Sequence, residues 1–376
     1  MRRGSWIRAA LLLAAPAVWG ASPLYVTPDV PTNSSVSLIT MMPWQIFRYD
    51  GAGPSYTLVF TVPGNPHLDG IHKMDAVGDW LFSVEAFSTL GGMLPGGADP
   101  RDVVRYDASA ATYSLFFCGA SLGVPPYANL DSVTLEKGDK GDLIAGFDVP
   151  TTIGAFTFDP GDLVRFTPTG AAGCAAWMLS AANPAFDASA AGAGVLRSSN
   201  VTDSLGAAMT PTVSLDVPST LGPPGAVTYV PGQLVAWSGA AYSVYEALAG
   251  WPISSGIHGI SGLANPGTVP TTITLGKAPA GDIIVSWAAS CADGATDYGI
   301  YEGTIGTWYS HTLKDCNDAG GDHTEQITPA AGNRYYLVVA NNFQAEGSYG
   351  QATSGAERPV GTAVCVTPQV VTACPP

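Results

Sequence analysis

Asp148-Val149-Pro150-Thr151-Thr152-Ile153-Gly154 recurs as Asp216-Val217-Pro218-Ser219-Thr220-Leu221-Gly222, as Glu85-Ala86-Phe87-Ser88-Thr89-Leu90-Gly91, and in short form as Asp29-Val30-Pro31-Thr32. Successive copies start 56, 63 and 68 residues apart. Three further segments travel with the signature at variable gaps. One covers residues 45–50, 102–107, 162–166 and 233–237. A second, rich in aromatics, covers 56–62, 113–117, 176–179 and 241–245. A third covers 74–77, 130–133, 193–195 and 260–263. Apolar and polar residues alternate in most of them, as in a strand with one face more buried than the other. Four units of four short strands are predicted. A unit of this size cannot bury both faces alone, so its neighbours must stack on it.

Composition agrees with an all-β chain. Of 376 residues, 45 are Gly and 30 are Pro, about a fifth of the total. Charged residues are 12%, against roughly 25% in an average soluble protein. Turn formers set among β-branched and aromatic residues read as many short strands. The formal net charge of −15 repels phosphate backbones and argues against nucleic-acid binding.

Arg2, Arg3 and Arg8 precede an apolar run over residues 9–19, followed by Gly20, Ala21 and Ser22. A basic stretch, a short apolar run and small residues at the cut predict a secretory signal peptide over residues 1–21. No second apolar run approaches the length of a membrane span. The expected location is secreted or cell-surface, extracellular or periplasmic. Six cysteines, Cys118, Cys174, Cys291, Cys316, Cys365 and Cys374, suit an oxidising compartment. Their positions suggest the pairs Cys118–Cys174, Cys291–Cys316 and Cys365–Cys374, although six cysteines allow many pairings.

Four antiparallel sheets repeated about an axis make a small, about four-bladed β-propeller-like domain over residues 22–265. The repeats begin with a signature strand and end with a segment near residues 257–263. That phase suggests that the last strand completes the first sheet and leaves no free edge. An open array of four sheets and a pair of stacked sandwiches fit the spacing as well. The repeats resemble the propeller-like repeats of secreted bacterial proteins over roughly residues 24–263, and the resemblance implies no particular activity.

After Asn265-Pro266-Gly267 the period ends. Strands are expected at 282–287, 297–303 and 334–340, followed by Glu346-Gly347-Ser348-Tyr349-Gly350. With Trp287, Tyr298 and Tyr301, this stretch resembles a fibronectin type III-like β-sandwich over residues 268–365. The resemblance implies a spacer or adhesive module with no catalytic residues to carry over. Residues 366–376 read as a tail closed by a disulfide.

Chemistry-bearing motifs are scarce. The sequence has no G-x-S-x-G, no H-E-x-x-H, no phosphate-binding glycine loop and no EF-hand loop. His67 and His72 flank Asp69, with Asp75 beyond, and His258 falls at the place in the closing repeat that matches His72. His311 and His323 fall in loops near Asp315, Asp318 and Asp322. The main constellation is the repeated acid: Asp29, Glu85, Asp148 and Asp216. Four-fold repetition could set these carboxylates around one axis as a ligand ring for a cation or a sugar. Equally, each acid could end a strand by accepting backbone hydrogen bonds in its turn. No catalytic residue, metal site or cofactor is assigned, calcium being the one ion that such acids would suit.

The expected function is a secreted, non-enzymatic binding or cell-surface adhesion protein. Its ligand would be extracellular, a carbohydrate or a protein. A polysaccharide lyase or hydrolase with a site on the axis is one alternative, and a structural envelope protein is the other. Paired acids in an axial pocket would favour the enzyme, and a shallow aromatic-lined surface would favour binding.

Overall fold

The computed structural model describes residues 24–369 except 51–53, 75–77, 136–140, 172, 188–200, 205–211, 216, 223–226, 238–240, 263–265, 271–272, 292–296, 317, 319–321, 342–344 and 367–368. The signal segment, Asp75, Asp216 and Cys374 lie outside the described residues.

Alternation in the repeats becomes four antiparallel sheets of four strands each. The second sheet runs Leu68–Lys73, Trp80–Val84, Asp102–Asp107, Thr112–Cys118. The third runs Leu130–Leu135, Leu143–Phe147, Val164–Pro168, Trp177–Leu179, and the fourth Val201–Ser204, Thr212–Leu215, Gln233–Trp237, Tyr242–Ala247. The first sheet takes its innermost strand from far along the chain. Ile257–Gly262 pairs antiparallel with Leu24–Pro28, which continues to Gln45–Asp50 and Ser55–Thr61. No sheet closes on itself, so among the described residues there is no barrel.

The innermost strands lie against one another in sequence. Ile257–Gly262 contacts Leu68–Lys73, which contacts Leu130–Leu135, then Val201–Ser204, which returns to Ile257–Gly262. Glycine permits this closeness. A Cβ on Gly70 would sit 2.7 Å from the Val133 backbone nitrogen, so only a residue without one fits there. Hydroxyls then bridge neighbouring sheets. Ser83 Oγ donates to Leu130 O at 2.8 Å and accepts from Gly70 N, and Ser214 Oγ donates to Ile257 O at 2.9 Å. Buried apolar side chains fill the seams, with Phe117, Phe158 and Phe166 between the second and third sheets.

Two corrections to the expected repeat follow from register. The innermost strand of the second sheet is Leu68–Lys73, earlier than the expected segment at 74–77, and that of the fourth sheet is Val201–Ser204, later than 193–195. Leu68, Leu130 and Ile257 pair with Val84, Phe147 and Pro28, each just before a repeated acid. His258 therefore matches Asp69 and Asp131 and does not match His72.

The signature has a local cause. In Val-Pro-Thr/Ser the hydroxyl folds back on the valine carbonyl: Thr32 to Val30 at 2.7 Å, Thr151 to Val149 at 2.8 Å and Ser219 to Val217 at 3.1 Å. Each hydroxyl residue then opens a two-stranded hairpin, at Thr32–Asn33, Thr151–Ile153 and Ser219–Leu221. The second unit lacks the Val-Pro step and has the short 3-10 turn Leu90–Gly92 in place of the hairpin.

Beyond the repeats lie two three-stranded sheets. Thr274–Lys277, Ile283–Ser286 and Thr324–Ile327 form one. Thr307–Asp315, Asp297–Thr304 and Arg334–Asn341 form the other. Trp287, Tyr298, Ile300 and Val338 pack between them. The opposite face of the strand Asp297–Thr304 is covered too, because Tyr301 packs with Tyr349 and Cys365. Glu346, 1% exposed, anchors this cover by accepting bonds from the Tyr301 and Tyr349 hydroxyls and from Cys365 N.

Two disulfides are described in full. Cys118–Cys174 ties the second sheet to the third, the pairing expected from the repeats. The expected Cys291–Cys316 and Cys365–Cys374 pairs are replaced by Cys316–Cys365, with Cα atoms 5.4 Å apart. Cys291 is disulfide-bonded as well, but not to Cys316. The physical reason is the sandwich itself. Cys291 follows a strand of one sheet and Cys316 a strand of the other, so the two do not bracket one strand pair. Gly299 leaves room for Cys365 on the covered face, where an added Cβ would sit 2.8 Å from its sulfur.

Candidate functional site

Three of the four repeated acids are described, and each is engaged within its own sheet. Asp29 accepts from Ser255 Oγ at 2.9 Å, Glu85 meets His67 Nδ1 at 3.0 Å, and Asp148 accepts from Asn129 N at 2.9 Å. The same three residues donate their own backbone N–H to Gly256, His67 and Asn129. Each acid thus pins the end of its strand to the start of the innermost strand of its own sheet. Asp216 lies outside the described residues.

Nearer the centre, Asp69 joins three sheets. Its carboxylate accepts from Asn129 Nδ2 at 2.9 Å and lies 3.3 Å from His258 Nδ1. Burial, and secondly the charge of Asp69, raise the Asp148 carboxyl above the usual carboxylate range. Among the described residues no three His, Cys, Asp or Glu side chains group to hold a metal ion. His72 is buried on its strand. His311 is a fully buried strand residue, where a loop position was expected. Its Nε2 donates to Pro359 O at 2.8 Å, which leaves Nδ1 to accept from the Tyr335 hydroxyl at 3.2 Å. His323 lies in a bend beside Tyr298, with ring centroids 5.1 Å apart. Its backbone N–H donates to Asp318 Oδ2.

An aromatic cleft opens between the first and second sheets. Its volume is about 310 Å³, and its lining includes Tyr25, Phe60, Lys73, Gly78, Trp80 and Tyr106. Strand register builds one wall. Lys73 pairs with Trp80, Trp80 with Tyr106, and Tyr106 with Tyr113, so one row of side chains crosses all four strands of the second sheet. Period-2 alternation puts these four on one face. The first sheet supplies Tyr25 and Phe60. Tyr25 meets Trp80 edge-on at 5.1 Å, and Phe60 lies 4.7 Å from Tyr106 and 6.2 Å from Trp80.

One basic residue, Lys73, lines the cleft. Lys73 Nζ sits 5.4 Å from the Trp80 ring centroid, a cation–π contact. Arg48 is the cross-strand partner of Tyr25. Burial raises the Tyr25 hydroxyl pKa, and the Arg48 charge offsets part of that rise. Burial, with Tyr106 beside it, pushes Tyr113 up to about 12. Arg105 is held by the buried Asp79 at 2.9 Å, and Arg165 is held in the same way by Asp142 at 3.0 Å in the third sheet. Arg48 has no aspartate at the matching position, where the sequence has Pro23. It lies 3.7 Å from the exposed Asp50.

Sequence reasoning missed this cleft. Its residues are scattered over four segments of two repeats, and only strand register assembles them. The aromatic alternation near Tyr113 was the available signal.

No family model matches the chain, and no curated protein matches it. Among solved structures, the chain is similar to the FN1–FN3 domains of chicken CNTN1, at 10% identity, with 87% of this chain and 85% of that one covered and a TM-score of 0.21. It is also similar to the extracellular domain of a candidate one-component system from B. thetaiotaomicron, at 8% identity and a TM-score of 0.23. That match covers 85% of this chain and 46% of the other. Likeness this distant carries no argument about fold or function.

Proposed function

We propose that the protein is a secreted binding or adhesion protein. In this reading the four sheets form a small β-propeller over residues 22–265, closed by Ile257–Gly262, and a fibronectin type III-like sandwich over 268–365 acts as a spacer. The propeller is the recognition platform, and the cleft between its first two sheets is the site. The observation that carries the reading is the surface cleft at the seam of the first two sheets, lined by the mutually packed aromatics Tyr25, Phe60, Trp80 and Tyr106. Trp80 is itself buried, and the partly exposed Tyr25, Phe60 and Tyr106 present aromatic surface on which a flat apolar face gains by packing. Asp29, Glu85 and Asp148, each engaged within its own sheet, give no comparable support to a lyase or hydrolase.

Affinity electrophoresis of the full chain through gels containing soluble polysaccharides tests this, with parallel assays for released reducing or unsaturated ends. Retardation without product release is expected, and Tyr106→Ala or Phe60→Ala should remove it. Product release that survives both substitutions would favour the enzyme reading.

A further inference from the structure

We infer that the end of the four sheets carrying the repeated Val-Pro signature is a second binding surface, for a protein segment that bears apolar side chains together with lysine or arginine. This surface is separate from the cleft.

In each sheet the innermost strand starts, and the second strand stops, at this end, as the pairs Leu68–Val84, Leu130–Phe147, Val201–Leu215 and Ile257–Pro28 show. The loops there hold the exposed apolar side chains Val30, Leu38, Phe87, Tyr127, Val217 and Ile253. The loops at the opposite end expose no large apolar side chain among the described residues. A single exposed apolar residue is ordinary, whereas their gathering at one end marks an interaction surface. Leu38 is 88% exposed and has φ +52°, a left-handed conformation that large side chains rarely adopt. Backbone strain on a side chain that buries nothing points to a use outside the fold. The strand that leads on to the sandwich, Ile257–Gly262, runs away from this end, since Ile257 pairs with Pro28 and Gly262 with Leu24. The chain therefore does not leave across the surface.

Charge narrows the class of partner. The described loops at this end contain one lysine or arginine, Arg101, which Asp99 holds at 3.0 Å and which donates to Val124 O at 2.9 Å. Acids outnumber it, among them Asp29, Glu85 and Asp148, so the end is net negative however these are paired. A second copy of the chain would bring like charge against like charge, and an anionic lipid surface meets the same repulsion. Val30, Leu38, Val217 and Ile253 are branched and offer no flat face to a sugar ring. An apolar protein segment packs on such side chains, and cations on that segment complement the acids.

Calorimetric titration of the full chain with an alternating valine–lysine dodecapeptide tests the inference, with valine–glutamate and serine–lysine dodecapeptides as comparisons. The valine–lysine peptide should bind at least about tenfold tighter than either comparison. Tyr127→Ser and Ile253→Ser, each shown to be folded by a melting curve, should each weaken it severalfold. Val244→Ser, on the outermost strand of the fourth sheet, should leave it unchanged. No binding of the valine–lysine peptide would overturn the inference. Equal binding of the serine–lysine peptide would overturn the apolar surface, and equal binding of the valine–glutamate peptide would overturn the charge match. Binding that both Tyr127→Ser and Ile253→Ser leave unchanged would overturn the location. A concentration-dependent dimer in sedimentation velocity, or co-sedimentation with phosphatidylcholine vesicles, that Ile253→Ser abolishes would overturn the protein segment and assign the surface to a second copy or to lipid.

Discussion

Asp148 holds the Asn129 backbone N–H while its carboxyl is partly buried and close to Asp69. Its pKa in the folded chain lies above the usual carboxylate range, so between the two values the folded state keeps a proton that the unfolded chain has released. Stability attached to this group is therefore present at low pH and is lost as pH rises from about 3.8 through the folded value. Asn keeps an acceptor for Asn129 N without the charge. Asp148→Asn should melt at or above wild type at neutral pH and lose that advantage as the pH approaches 3.8, read from melting curves across the acid range. Calcium should leave both proteins' melting unchanged, because Asp29, Glu85 and Asp148 are each engaged within their own sheet. A calcium shift that Asp148→Asn abolishes would restore the carboxylate ring. Asp79 is the contrasting case: buried, and bonded to both Arg105 and Ala108 N. Asp79→Ala strands both donors and should cost about 1–3 kcal/mol in urea unfolding. The exposed pair partner Asp50, replaced in the same way, should cost under about 1 kcal/mol.

Strands and turns show which signals the sequence carried. Alternation marks the third and outermost strands of each unit, whereas the second strands, buried along most of their length, are marked by the signature that follows them. Alternation misplaced the innermost strand of the second unit because that strand is buried on both faces. All six residues of Leu68–Lys73 are buried, so no period-2 contrast marks them. A stronger local signal went unread. Met42-Pro43-Trp44-Gln45, Asp99-Pro100-Arg101-Asp102, Asp159-Pro160-Gly161-Asp162 and Val230-Pro231-Gly232-Gln233 are four copies of one turn. In each the last side chain accepts the first backbone N–H, at 3.2, 3.0, 2.9 and 2.9 Å. Proline at the second position pre-sets the backbone for that turn. The cysteine pairing was harder to read, because Cys365 reaches Cys316 across a face that only the tertiary fold covers. Peptide mapping without reduction should recover a Cys316–Cys365 linkage and none between Cys291 and Cys316. Cys118–Cys174 spans 56 residues, and loop closure over that span is worth roughly 4 kcal/mol. Replacing both with Ser should lower stability by about 2–4 kcal/mol.

At the scale of the whole molecule, the proposed propeller depends on one pairing between distant parts of the chain. Leu24–Pro28 and Ile257–Gly262 share a sheet, and Ile257–Gly262 also contacts the innermost strand of the second sheet and that of the fourth. The aromatic cleft forms where the first sheet meets the second, so its geometry depends on the same closure. Ile260, fully buried, is the cross-strand partner of Val26. Ile260→Ala should cost about 2–4 kcal/mol through the cavity it leaves. The decisive measurement is hydrogen exchange by mass spectrometry on the full chain, wild type against Ile260→Ala. The account predicts that exchange accelerates together in residues 25–27, 257–262 and 68–73. Acceleration confined to 257–262, with residues 25–27 as protected as in wild type, would contradict it and leave the four sheets an open array.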